Sequence, residues 1–331
     1  MLYYRTSRSG VALADALPTV SHDRLTRLLQ AEWSGQRLLE LAGRTWFVRE
    51  RGALLLEDTV ISKPFATAMG HLAWVYSSQE RKPIYGFGLV LLVWAKGTMR
   101  VPLGVRLWHK GGASTYGLAL AWRSNARNRL RCRPESVLFD AWYPSKALLK
   151  RIRDYGWYCV CRLKKNRRFN GQPLRAFRRH PYWAERGWLT GSVNVWAVRY
   201  GATYYATNCL TLPAGEGRRH YRMRAQIEEV MPACKDQLGL SGCQARSERA
   251  QRHHITCCLA AFCVLERECQ DRGLGIDKRK QHRSCQGCSI ALPALKRLRS
   301  AAQPLIRDRG SALAKTGGEE YRTGARAPAF P

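Results

Sequence analysis

From residue 52 the chain sets long apolar runs between short polar breaks, and the runs read as strands. ALLLEDT is a near-continuous apolar run, and WVYSS, IYGFGLVLLVWAKG and RVPLGVRLWH follow as neighbouring strands broken at Lys-Pro and Lys-Gly. The spacing predicts a helix over residues 115–130, a buried strand at SVLFD, and a helix from Pro144 to Tyr155 that proline opens and Gly156 stops. Another strand, WYCVCRLKK, comes next. WLTGSVNVWAVRYGATYYATNCLTL holds alternating β-rich stretches on either side of Tyr-Gly-Ala, which predicts a hairpin. A long helix over about residues 248–268, with Ile255, Leu259, Phe262 and Leu265, is expected to cover the sheet. Residues 10–30 predict two short helices, Leu13 and Leu17 on the first and Leu25, Leu28 and Leu29 on the second, with Pro18 and the N-cap Ser21 between them. Beyond about residue 271 periodicity fades, and the last twenty residues are expected to be loose. The longest apolar stretch, YGFGLVLLVWA, is too short to cross a bilayer.

One polar spacing stands out within this pattern. In YRMRAQIEEVMPACK, Tyr221, Arg224, Glu228 and Lys235 fall at roughly 0°, 300°, 340° and 320° on an α-helix advancing about 100° per residue. They share a face. Met223, Ile227, Val230, Met231, Cys234 and Leu238 fill the adjoining sector, the stripe such a helix buries. Pro232 cannot donate to the carbonyl of Glu228, so a kink is expected there, and Lys235 lies beyond it.

Charge adds a partner class. Lys and Arg number 56 against 24 Asp and Glu, a formal net charge of +32, which attracts polyanions and nucleic acid of any sequence. The 45% apolar content and 11 Trp imply a packed core and argue against a disordered chain. At 331 residues one large domain and a small one fit. Twelve Cys without a secretory signal point to reduced cytoplasmic thiols. Cys285-x2-Cys288, with His282 and Cys269 nearby, is an incomplete zinc pattern.

The Tyr221-x2-Arg224-x3-Glu228-x6-Lys235 string resembles the signature of DDE transposases from bacterial insertion sequences, the IS-four-type superfamily. ALLLEDTVISKP, with Asp58, and SVLFDAWYPSKALLKRI, with Asp140, resemble that family's aspartate motifs, in the order Asp, Asp, Glu with separations of 82 and 88 residues. The resemblance implies an α/β fold: a ribonuclease-H-like catalytic core with a β-rich insertion and a small helical N-terminal domain. The expected boundaries are 1–50 for the helical region, 51–164 and 216–270 for the core, 165–215 for the insertion and 271–331 for a basic, partly flexible C-terminal region. It further implies a transposase that binds terminal inverted repeats, cuts double-stranded DNA at the element's ends and joins them to target DNA. Such an enzyme works as an oligomer, here expected as a homodimer on DNA, in the bacterial cytoplasm at the nucleoid and without a membrane. A non-catalytic DNA-binding relic and a ribonuclease-H-like nuclease acting on branched nucleic acid are the alternatives.

Phosphodiester chemistry of this kind uses two divalent ions held by acids, and Mg²⁺, for which Mn²⁺ can substitute, prefers oxygen ligands. The implied ligands and catalytic acids are Asp58, Asp140 and Glu228. Strand alternation sends Glu57 and Asp58 to opposite faces, so one of them is expected in the site, and the motif selects Asp58. Glu229 falls outside the shared helical sector, facing solvent or an arginine. Asp140 alternatively caps the turn into the next helix. Tyr221, Arg224 and Lys235 are implied to hold DNA phosphates, Arg by a forked pair of donors and Lys as a point charge. Arg24 and Arg27 either read DNA from a helix-turn-helix or sit on a small structural bundle. Trp183 and Trp188, inside the insertion, are either core residues or platforms for an extruded base. Two basic clusters, residues 123–133 and 162–168, are candidates for tracking the DNA backbone.

Overall fold

The computed structural model describes residues 20–272 apart from 44–46, 48, 79, 178, 179, 191, 192 and 214, with backbone only at 122–125 and 272. The described residues all lie in one compact unit; the other, Gln286–Pro331, falls outside them, as do the helix expected around Leu13 and the Cys285-x2-Cys288 pair. Helices α1 (His22–Gln30) and α2 (Gly35–Gly43) precede a sheet. Ser21 caps α1 as expected, accepting from the Arg24 N–H at 3.3 Å.

The central strands are β1 (Ala53–Ser62), β2 (Ala73–Ser77), β3 (Lys82–Lys96), β4 (Met99–Trp108), β5 (Ser136–Phe139) and β6 (Cys159–Leu163). Helix α3 (Thr115–Ser124), running on into a π turn, and α4 (Lys146–Asp154) cross between the last of these. β1 pairs antiparallel with β3 and parallel with β5, β5 pairs parallel with β6, and β3 carries both β2 and β4 on its outer side. Three antiparallel strands followed by two parallel ones beside the first is the ribonuclease-H-like arrangement. Its long strands are buried on both faces, which is why they read as continuous apolar runs instead of alternating ones.

Two apolar layers flank the sheet. Leu54, Leu56, Val90, Val137 and Phe139 meet Leu118, Leu148, Leu149 and Ile152 of α3 and α4. On the other side Leu55, Leu91, Leu138 and Val160 meet α6 (Ala225–Pro232) and the long α7 (Glu248–Arg272), through Ile227, Val230, Ile255, Leu259 and Phe262. Arg100 of β4 forks to the fully buried Glu266 of α7 at 2.7 and 3.0 Å, tying that helix to the sheet.

The β-rich segment does not stand apart. After the short β7 (Arg168–Phe169) and β8 (Gln172–Pro173), the antiparallel strands β9 (Tyr182–Leu189), β10 (Val193–Tyr200) and β11 (Thr203–Thr207) extend the same sheet, because β11 pairs with β6. The Tyr-Gly-Ala turn joins β10 to β11, with Gly201 at φ 57°, a left-handed value that glycine adopts without steric cost.

Candidate active site

β1 and β5 run parallel with Leu56 opposite Phe139, so Glu57, Asp58 and Asp140 gather at one edge of the sheet. Since Leu54 and Leu56 enter the α3/α4 layer and Leu55 the α6/α7 layer, alternation turns Asp58 toward the first and Glu57 toward the second. The contacts agree. Glu57 is ion-paired with Arg224, and Thr59 accepts from Lys235 Nζ at 2.9 Å. Asp58 instead feels the hydroxyl of Tyr143, a fully buried residue of the α3/α4 layer. The alternation expected of the two adjacent acids is therefore present, and the one beside the signature segment is Glu57. Asp140 accepts the Ala141 N–H at 2.6 Å, while Ser145 caps α4 by accepting from Leu148 N at 3.2 Å. The helix cap thus needs nothing from Asp140.

The signature segment is not the single helix its spacing predicts. Tyr221 is in the last turn of α5 (Glu216–Arg222), Arg224 lies in a tight connection, Glu228 is on α6, and Lys235 is in a π turn, Ala233–Gln237. The connection is tightened by bonds to the third residue back, Arg224 N to Tyr221 O at 2.9 Å and Ile227 N to Arg224 O at 3.0 Å. Met223 packs at the margin of the core and Ile227, Val230, Met231, Cys234 and Leu238 are buried, which is the stripe the sequence predicts. Pro232 closes α6 with helical torsions, and the chain passes into the π turn directly after it. Lost hydrogen bonding at proline is absorbed by a change of helical register, and Lys235 comes to lie against β1.

Arg224 is the centre of the electrostatics. Its guanidinium is buried and spans Glu57 and Glu228, the second through Nη1 to Oε1 at 2.6 Å. Burial pushes the Glu57 carboxyl up to about 8; Arg224 opposes this, and Asp58, Asp140 and Glu228 push it further up. Burial likewise raises Asp58, with the Tyr143 hydroxyl pulling it down and Asp140 pushing it up. Burial works against the charge on Arg224, but Glu57 and the neighbouring acids outweigh it and raise its pKa. Lys235 is lowered by burial despite Asp236 and Glu80. Four carboxylates and one guanidinium therefore act on one another. Around them the buried Tyr221 hydroxyl and Arg224 Nε find no hydrogen-bond partner. Among the described residues, with Arg224 between the acids, no group of three His, Cys, Asp or Glu side chains is arranged to hold a metal ion.

The remaining candidates separate. Arg24 and Arg27 are exposed on α1, whose C-terminal end is tied to α7 by His253, bonded to Leu29 O at 2.8 Å and Trp33 O at 3.1 Å and stacked on Trp33. Trp183 stacks on Phe177 at 4.7 Å and meets Phe169 edge-on, so its ring is already occupied, whereas Trp188 is about half exposed. Glu229 pairs with Arg100. Glu57 was weighed in the sequence and set aside for Asp58, while Tyr143 and Lys63 were not singled out at all. The signal for Glu57 was its position next to Asp58; the buried Lys63, which donates to the carbonyls of Ser241 (2.7 Å) and Cys243, carried no signal, because its partners are about 180 residues away.

Among curated proteins none matches the chain in sequence. Among solved structures it resembles the piggyBac transposase synaptic complex with hairpin DNA, at 13% identity and a TM-score of 0.51, covering 93% of this chain and 69% of that one. A weaker likeness, to the Mos1 strand transfer complex, has 17% identity and a TM-score of 0.20 over 46% of this chain and 53% of that one. The sequence profile of the transposase DDE domain matches residues 50–264, from just before β1 into α7 and across Glu57, Asp58, Asp140 and Glu228, and the chain belongs to that family.

Proposed function

We propose that this transposase binds terminal inverted repeats, cleaves DNA at the ends of its element and transfers the freed strands to target DNA. The observation that carries this reading is the edge of the sheet itself. There, mutually coupled carboxylates stand beside two buried donors without a hydrogen-bond partner, the Tyr221 hydroxyl and Arg224 Nε, on a chain of charge +32. Unpartnered buried donors are costly unless a ligand oxygen meets them, and phosphate oxygens match a phenol and a guanidinium.

Asp58, Asp140 and Glu228 are the proposed acids, and their all-oxygen donor set suits Mg²⁺ or Mn²⁺. Two such ions, when bound, supply the positive charge that balances the attacking and leaving oxygens of a phosphodiester. Tyr221, Arg224 and Lys235 hold the phosphates at this edge. Arg24 and Arg27 contact DNA from α1, and Trp188 offers an open aromatic face to an extruded base. A homodimer on double-stranded DNA brings two such sites to two ends. Among the described residues no helix is long and apolar enough to cross a membrane.

The test is cleavage of a plasmid carrying the inverted repeats that flank the coding region, in Mg²⁺ and in Mn²⁺. Wild type is expected to nick and join at the repeats, with Asp140→Asn and Glu228→Gln reduced about a hundredfold or more. Equal activity in wild type and variants, or cutting indifferent to the repeats, would sink the proposal.

A further inference from the structure

We propose that Glu57 is a metal-holding acid of this site, and that a divalent ion competes with the Arg224 guanidinium for Glu57 and Glu228. The inference rests on the transposase reading above. Three observations carry it. First, the cross-strand pairs place Glu57 beside Leu91 and Asp58 beside Val90, and these two partners belong to the α6/α7 and α3/α4 layers respectively. Second, the register Leu55↔Leu138 and Leu56↔Phe139, with Leu138 in the α6/α7 layer, puts the next position of β5, Asp140, level with Glu57 and in phase with it. Third, one guanidinium already binds Glu57 and Glu228 together, so these two carboxylates lie within the reach of one cation.

A cation placed there is what the two carboxylates require, and the guanidinium supplies it with a planar fork of fixed span. Mg²⁺ or Mn²⁺ would satisfy the same oxygens with a compact double charge, leaving Arg224 for a phosphate. Asp58, on the opposite side of β1, is hydrogen-bonded by Tyr143 and reaches the site through its charge on Asp140. Arg224 thereby links the two halves of the reaction chemistry, acid and phosphate, in one side chain.

Mn²⁺ binding to the full-length protein, followed by electron paramagnetic resonance, tests this, with thermal melting as the check on folding. Glu57→Gln is expected to weaken Mn²⁺ binding about tenfold or more, at least as much as Asp58→Asn does. Glu57→Asp is expected to restore most of it, and Glu229→Gln, at a residue paired with Arg100 outside the site, to bind like wild type. Binding unchanged in a folded Glu57→Gln protein but lost in Asp140→Asn would overturn the role of Glu57 and leave the transposase site standing. No Mn²⁺ binding by wild type would overturn both. If Glu57→Gln does not fold, Fe²⁺-directed hydroxyl-radical cleavage of wild type decides: cuts flanking residue 57 support the assignment, and cuts that spare it refute it.

Discussion

Arg224 shows how little a side chain's role follows from its spacing. The signature pattern puts it on one helical face with Glu228 as a phosphate-binding arginine, and it lies buried between Glu228 and a second acid, Glu57, that the spacing does not include. What exposes the difference is the sheet edge it packs on, where burial and the neighbouring carboxylates lift Glu57 above the usual carboxylate range even with Arg224 beside it. Replacing Arg224 by Ala removes both charged bonds and strands Glu57 in that environment. Urea unfolding is expected to show a loss of about 1–3 kcal/mol, and Arg224→Lys an intermediate one, because an ammonium cannot fork to both acids. A variant as stable as wild type would mean that the guanidinium contributes nothing to the fold.

Strands and helices were legible to different depths. β1, β3, β4 and β5 announced themselves as apolar runs, since a strand covered on both faces has no polar positions to interrupt it. Gly86 on β3 was not legible: a Cβ there would meet the backbone oxygen of Ile61 on β1 at 2.0 Å, a contact set by strand pairing across 25 residues. Gly86→Ala is therefore expected to destabilise by about 1–3 kcal/mol in chemical denaturation, and a neutral result would show that β1 and β3 can separate at that point. The signature segment lay between these cases. Its buried stripe was correct, but its division into α5, α6 and a π turn was hidden, because local i→i+3 bonding at Arg224 and a proline at 232 are compatible with several helical registers.

The assembled unit carries one titration that no local pattern contains. His254, on α7, donates from Nε2 to the Gly239 carbonyl at 2.9 Å in the layer beneath the sheet. Burial lowers its pKa from 6.5 to about 4, against the favourable pull of that carbonyl. In the unfolded chain the ring takes a proton near its ordinary value, so between these two values the unfolded state binds a proton that the folded state refuses. Stability from this group is full above about pH 6.5 and falls as the pH drops toward 4, by on the order of 3 kcal/mol in total. Melting curves between pH 7 and pH 4 check this: His254→Gln is expected to flatten the slope, and an unchanged slope would assign the acid sensitivity to other groups.

The order of strands and the buried stripe beside Glu228 were present in the chain read end to end, because each depends on residues within a turn or a strand of one another; the basic excess follows from composition, and the three motif acids were marked by a family resemblance. Which of two adjacent acids faces the signature segment, where Lys63 finds its carbonyls, and that β9–β11 continue the central sheet were not. Those outcomes depend on which strand lies beside which and in what register. Pairing of that kind is a property of residues far apart in sequence, and it exists only once the sheet has closed around its two cores.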